Sequence, residues 1–111
     1  MCLVEELSIY RDTVVLLNSL YRLVQTFPRF FQYGLGMRMT ELCLNMLSLI
    51  VKANAAGEKS DCLNAFLTDY QMLKVLFGVC VEQKIMSPQQ HAHYALLMGR
   101  IERQAMAWRG N

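Results

Sequence analysis

The sequence predicts an all-α fold, an up-down-up-down four-helix bundle. Three observations carry that prediction. Apolar residues recur at alternating steps of three and four in four separate stretches, the signature of helices that each bury one face. No stretch shows the two-residue alternation of a strand, and there is no internal repeat or low-complexity segment. The four stretches are each about 20 residues or longer with short links, and helices joined that way pack beside their chain neighbours. At 111 residues the chain is expected to be a single domain, 1–111.

The first helix is expected from about Leu3 to Thr26, with Leu7, Tyr10, Val14, Leu17, Tyr21 and Val24 as its stripe. Glu5 and Glu6 would fall in its first turn, where the helix dipole favours acids. Pro28 ends it or sets the turn that follows.

Next comes the least regular stretch, Arg29 to Gly36, with Phe27, Phe30, Phe31 and Tyr33 clustered around the proline and two glycines after them. A helical turn or two, a bend at the glycines and a long second helix to about Ala55 are predicted, with Gly57 as its C′ residue. The stripe of that helix is Leu35, Met39, Leu42, Met46, Leu49 and Ala53. Cys43, Leu47, Ile50 and Val51 widen it past half the circumference, so the other segments should wrap it, or a second subunit should cover what they leave.

Ser60 or Asp61 would cap the third helix, whose stripe is Leu63, Phe66, Tyr70, Leu73, Phe77 and Cys80 and whose end lies near Gln83 or Lys84. Ser87-Pro88-Gln89-Gln90 then combines an N-cap serine, a first-turn proline and a glutamine at N3. That is a capping box at the head of a fourth helix running to about Trp108. Its stripe is His91, Tyr94, Met98, Ile101, Ala105 and Trp108. Leu47, Val51, Leu96 and Leu97 lie off these stripes and point to self-association.

Composition excludes more than it assigns. Hydrophobic residues make up 54% and charged residues 18%, enough for a sizeable core. The longest apolar run, Leu42 to Val51, is broken by Asn45 and Ser48, so no membrane span and no membrane partner are expected. Met1 to Glu6 holds two acids and no base, unlike an export signal, which makes the expected location cytoplasmic. Cys2, Cys43, Cys62 and Cys80 form no Cys-x-x-Cys pair and read as reduced thiols, with Cys43 and Cys80 buried.

No catalytic, cofactor or metal site is expected. Neither histidine follows a Glu at three residues, and His91 and His93 point to different sides of a helix, one at the core boundary and one on the surface. Gly34-Leu35-Gly36 lacks the third glycine and preceding strand of a dinucleotide site, and no nucleophile elbow or phosphate loop is present. The eight methionines read as core filler or as the lining of an apolar groove, and Trp108 as an interface anchor or the end of the core.

The net charge of +2 is unevenly distributed. Glu5, Glu6 and Asp12 outnumber Arg11 at the start, whereas Arg22, Arg29, Arg38 and Lys52 outnumber Glu41, and Arg100, Arg103 and Arg109 outnumber Glu102. Those seven cations form either solvated helix faces or a mildly basic surface that contacts phosphates without reading sequence.

Five segments in order carry a resemblance: Phe27-Pro28-Arg29; Tyr33-Gly34-Leu35-Gly36-Met37-Arg38; Leu49-Ile50-Val51-Lys52-Ala53-Asn54; Lys84-Ile85-Met86-Ser87; and Ile101-Glu102-Arg103-Gln104 with Trp108. In these the chain resembles the Avd family, the accessory variability determinants of bacterial and phage diversity-generating retroelements. It is more distantly similar to four-helix-bundle proteins encoded in intervening sequences of bacterial 23S rRNA genes. Asn54 is followed by Ala55, Ala56 and Gly57 rather than by an acid and Gly, which favours the retroelement branch, while Pro88 and Glu102 depart from it. The resemblance implies a bacterial or phage-encoded homopentamer of bundles arranged as a barrel. It also implies a non-catalytic role, binding the retroelement reverse transcriptase and template RNA to support cDNA synthesis in mutagenic retrohoming. Arg29 and Arg38 lie inside the resembling segments, where tying the bend to a neighbouring helix is the competing role. The other reading is an oligomeric bundle that interacts with proteins alone.

Overall fold

A computed structural model describes residues 3–55 and 59–110. Among them the chain forms four long helices and no strand. We label these α1 (Ser8–Gln25), α2 (Arg29–Ala55), α3 (Lys59–Glu82) and α4 (Pro88–Gly110). The predicted cap residue Gly57 and the thiol of Cys2 lie outside the described residues. Each helix packs on its chain neighbours, and α1 also packs on α4, so the four enclose one core. The molecule measures 43 × 23 × 21 Å. A 27-residue helix such as α2 spans about 40 Å at about 1.5 Å per residue, so the helices lie along the long dimension.

A separate 3₁₀ turn, Val4–Glu6, precedes α1, with Leu7 extended between them. Glu5 and Glu6 therefore stand in that turn rather than in the first turn of α1. The Leu3 amide donates to Glu6 Oε1 at 3.0 Å, which gives the acid a local role.

The stripe predicted for α1 is one residue out of phase. The buried positions are Ile9, Thr13, Leu16, Leu20 and Leu23, while Leu7, Tyr10, Val14, Leu17 and Val24 are half-buried and Tyr21 is exposed. Two adjacent rows of α1 are apolar, and a threonine in the middle hides the one that faces inward. Thr13 is fully buried because its hydroxyl donates to the Ile9 carbonyl at 2.7 Å, which satisfies it within the helix.

Pro28 caps the start of α2 with an extended backbone. The glycines at which a bend is predicted do not break the helix. Gln32–Gly36 instead forms a π turn between Arg29–Phe31 and Met37–Ala55, so one continuous helix runs through. The π turn accommodates one extra residue in the coil without ending the helix. Gly36 makes a close approach possible, since a Cβ there would lie 2.5 Å from Val24 Cγ1 on α1.

Further along α2, Met39, Leu42, Cys43, Met46, Ile50 and Ala53 are buried, and Leu35, Leu47 and Leu49 half-buried. Neighbours do not cover α2 all round: Met37, Leu44 and Val51 remain exposed. By length and mean hydropathy alone, 1.2 over its most apolar window, α2 could cross a membrane. Asn45 and Ser48 interrupt the apolar run but lower the mean hydropathy of the helix too little to exclude a span. A bundle's core helix passes the same test, and the buried side chains of α2 lie in the core.

All six predicted stripe residues of α3 are buried. The helix closes on Lys84 in the left-handed region at φ 62°. The Ile85 amide donates to the Cys80 carbonyl and the Lys84 amide to that of Val81, both at 3.0 Å, a Schellman closure without glycine. The capping box of α4 is also present: Gln90 N–H donates to Ser87 Oγ at 3.1 Å, and Ser87 N–H to Gln90 Oε1 at 2.9 Å. On α4, Tyr94, Leu97, Met98, Ile101 and Ala105 are buried. Trp108 and His91 are half-buried and His93 is exposed.

Candidate nucleic-acid interface

Polar contacts between helices fix where the cations stand. Tyr94 Oη on α4 donates to the Ser19 carbonyl on α1 at 2.9 Å. Farther along both helices, Gln104 Nε2 donates to Asp12 Oδ2 at 2.7 Å. On the other seams Asn45 donates to Asp69, and Gln71 and Tyr70 donate to Glu102 at 3.3 and 3.5 Å. On the α1–α4 and α3–α4 seams the partners climb in number on one helix as they fall on the other.

The structure does not gather the seven predicted cations on one face. Arg22 lies on the α1–α4 seam beside Ser19, Gln90, His93 and Tyr94. Arg100 lies on the same seam, with a guanidinium nitrogen 3.5 Å from Asp12 Oδ1. Its side chain is 55% exposed, so the pair is worth only about 0–1 kcal/mol. Arg109 Nη1 donates to Asn64 Oδ1 across the α3–α4 seam at 3.1 Å, which gives this half-buried cation a structural partner. Arg103 is exposed on α4 one turn beyond Gly99.

On the α2–α3 seam Arg38 stands beside Leu42, Asp69, Met72 and Val75. Arg29 and Lys52 are exposed near the two ends of α2. Among the described residues none pairs with Arg29, Arg38 or Lys52. Arg38 lies just past the π turn, in the first turn of the regular helix Met37–Ala55.

Between α3 and α4 a cavity of about 180 Å³ is floored by Phe77, Tyr94 and Met98, with Lys74, His91 and Glu102 among its lining. Tyr70 also lines it, its hydroxyl pushed up to about 12 by burial first and by the Glu102 charge second. Burial likewise raises Tyr94, against a lowering contribution from Arg22. Cys43 and Cys80 are buried free thiols, pushed up by burial to about 12 and about 11, and Cys62 is a half-buried free thiol. No cluster of three or more His, Cys, Asp or Glu side chains suited to a metal occurs among the described residues.

Two aromatics outside the seven cations are strongly exposed, Phe30 at 85% and Tyr33 at 68%. Phe30 meets half-buried Phe31 edge-on, with ring centroids 5.2 Å apart. The aromatic density around Pro28 was visible in the sequence, but which rings face outward depends on the π turn.

Residues 7–111 match the family model described as bAvd-like. The chain belongs to the bAvd-like family. The match bears out the resemblance carried by the segments from Phe27 to Trp108. No curated protein matches the sequence. As a bAvd-like protein the chain is an Avd-type accessory protein, of a non-catalytic family tied to retroelement components in general.

Proposed function

We propose that this bAvd-like chain serves a diversity-generating retroelement by binding its reverse transcriptase and template RNA, supporting cDNA synthesis during mutagenic retrohoming. The observation that carries the reading is the family match from residue 7 to residue 111, which spans all four helices. In this reading residues 1–111 form one domain, an up-down-up-down bundle, that works in the cytoplasm of a bacterium. The opposed order of the paired residues on the α1–α4 and α3–α4 seams supports that topology.

Five copies would assemble as a barrel. Exposed Met37, Leu44 and Val51, seven residues apart along α2, and exposed Leu96 on α4 supply apolar surface for subunit contacts. Of the off-stripe residues expected to drive assembly, Leu97 is instead buried and Leu47 half-buried against the core. A closed ring repeats every exposed cation, so a chain of only +2 still presents phosphates with an extended positive field.

The test is co-purification of the reverse transcriptase and template RNA with the tagged chain. Capture of both, with the RNA released as salt rises, is the expected result. Capture of protein alone, with no RNA at any ionic strength, favours the other reading, an interaction bundle without a nucleic-acid role, which the exposed apolar residues would equally serve.

A further inference from the structure

Two long stretches of this chain contain no carboxylate. From Thr13 to Thr40 the charged residues are Arg22, Arg29 and Arg38, and from Gln83 to Ile101 they are Lys84 and Arg100, with both histidines. Acids flank the stretches at Asp12, Glu41, Glu82 and Glu102. The fold joins the two stretches directly: Tyr94 Oη donates to the Ser19 carbonyl at 2.9 Å, and Arg22 lies beside Gln90 and His93. In the proposed topology the α1–α2 and α3–α4 turns share one end of the bundle. Arg22, Arg29 and Lys84 are all exposed near it.

This end also carries Phe30 and Tyr33, exposed at 85% and 68% next to Arg29. Their backbone is held firmly. Gln32 Nε2 donates to the carbonyls of Phe27 and Gln25 at 3.1 and 3.3 Å, Gly36 lies against Val24, and Phe31 backs the Phe30 ring. Rings on a fixed backbone lose little entropy on binding.

Charge decides what covers them. A second copy placed on this end would set its own cations against Arg22, Arg29 and Lys84, and like charges in register oppose association. A duplex would satisfy the cations, but its bases are already stacked on one another and leave the rings bare. A single strand offers phosphates to the cations and free base faces to the rings. We infer that the end of the bundle bearing Phe30 and Tyr33 is a stacking site for unpaired bases of single-stranded nucleic acid, with Arg29, Arg22 and Lys84 on its phosphates. The inference rests on the nucleic-acid reading above and narrows it to unpaired strands.

The experiment is fluorescence anisotropy of the native full-length assembly with a labelled oligouridylate and with an RNA duplex of equal length. The single strand should bind more tightly. Replacing Phe30→Ala and Tyr33→Ala together should weaken single-strand binding by about tenfold or more, leave duplex binding alone, and keep the assembly mass unchanged by light scattering. Tryptophan at both positions should restore the preference, and Arg22→Ala with Arg29→Ala should weaken both ligands. Equal affinity for the two forms, or single-strand binding indifferent to loss of the rings, overturns the stacking site while the broader nucleic-acid reading stands. A changed assembly mass on losing the rings assigns them to a subunit contact and also overturns it. If the wild-type assembly binds neither form, the nucleic-acid reading falls and this one with it.

Discussion

Among the described glycines, Gly36 is the one with least room for an added carbon. A Cβ there would meet Val24 Cγ1 at 2.5 Å, and valine, branched at Cβ, has little freedom to swing away. Gly36→Ala should lower stability by about 1–3 kcal/mol, and pairing it with Val24→Ala should recover part of the loss, as thermal melts of the two single and one double variant would show. Lys84 illustrates the opposite sign. Its φ of 62° strains any L side chain, so Lys84→Gly should stabilise by about 0.5–1 kcal/mol, read as a higher urea midpoint.

The buried thiols and Tyr70 set the alkaline limit. Their folded-state pKa values are raised, Cys43 to about 12, Cys80 to about 11 and Tyr70 to about 12, against ordinary values of 9.0 and 10.0. The unfolded chain therefore ionises first. Their contribution is complete below pH 9 and is lost as pH climbs toward about 12. Circular dichroism should show unfolding at alkaline pH, and at neutral pH a thiol reagent should spare Cys43 and Cys80 in the folded protein. Of these features, the burial of the two cysteines was legible in the sequence. The Gly36–Val24 approach was not, because it depends on how α1 and α2 are phased.

Helices were legible where only one register of the pattern could be buried. The stripe of α3 is apolar at every step from Leu63 to Cys80, whereas the adjacent row is broken by Asp69, and Ser87 to Gln90 carries its start signal in its chemistry. Removing the hydroxyl in Ser87→Ala should cost about 1 kcal/mol, measured by chemical denaturation, since it deletes one of two reciprocal hydrogen bonds at 3.1 and 2.9 Å. Helix α1 was misphased because Val14, Leu17 and Val24 compete with Leu16, Leu20 and Leu23, and the decisive core position is a threonine. In α2 the glycines signalled an irregularity, but periodicity cannot distinguish a kink from a π turn.

At the scale of the whole molecule, the seven cations read from the sequence are distributed over several seams rather than gathered on one surface. Arg100 faces Asp12 and Arg109 faces Asn64, partners that lie far away in sequence and only meet once the helices pack. Lys84, Phe30 and Tyr33 gain their weight in the same way. Assembly is testable at this scale too: light scattering should report several times the 12.8 kDa chain mass, and Leu44→Glu with Val51→Glu should reduce it by charging the exposed row of α2. The most direct test of the account is cDNA synthesis by the retroelement's reverse transcriptase on its template RNA, with and without this chain. Yield should rise when the native assembly is added and fall back with the Arg22→Ala, Arg29→Ala variant at unchanged assembly mass. A cDNA yield that ignores the chain altogether would contradict it.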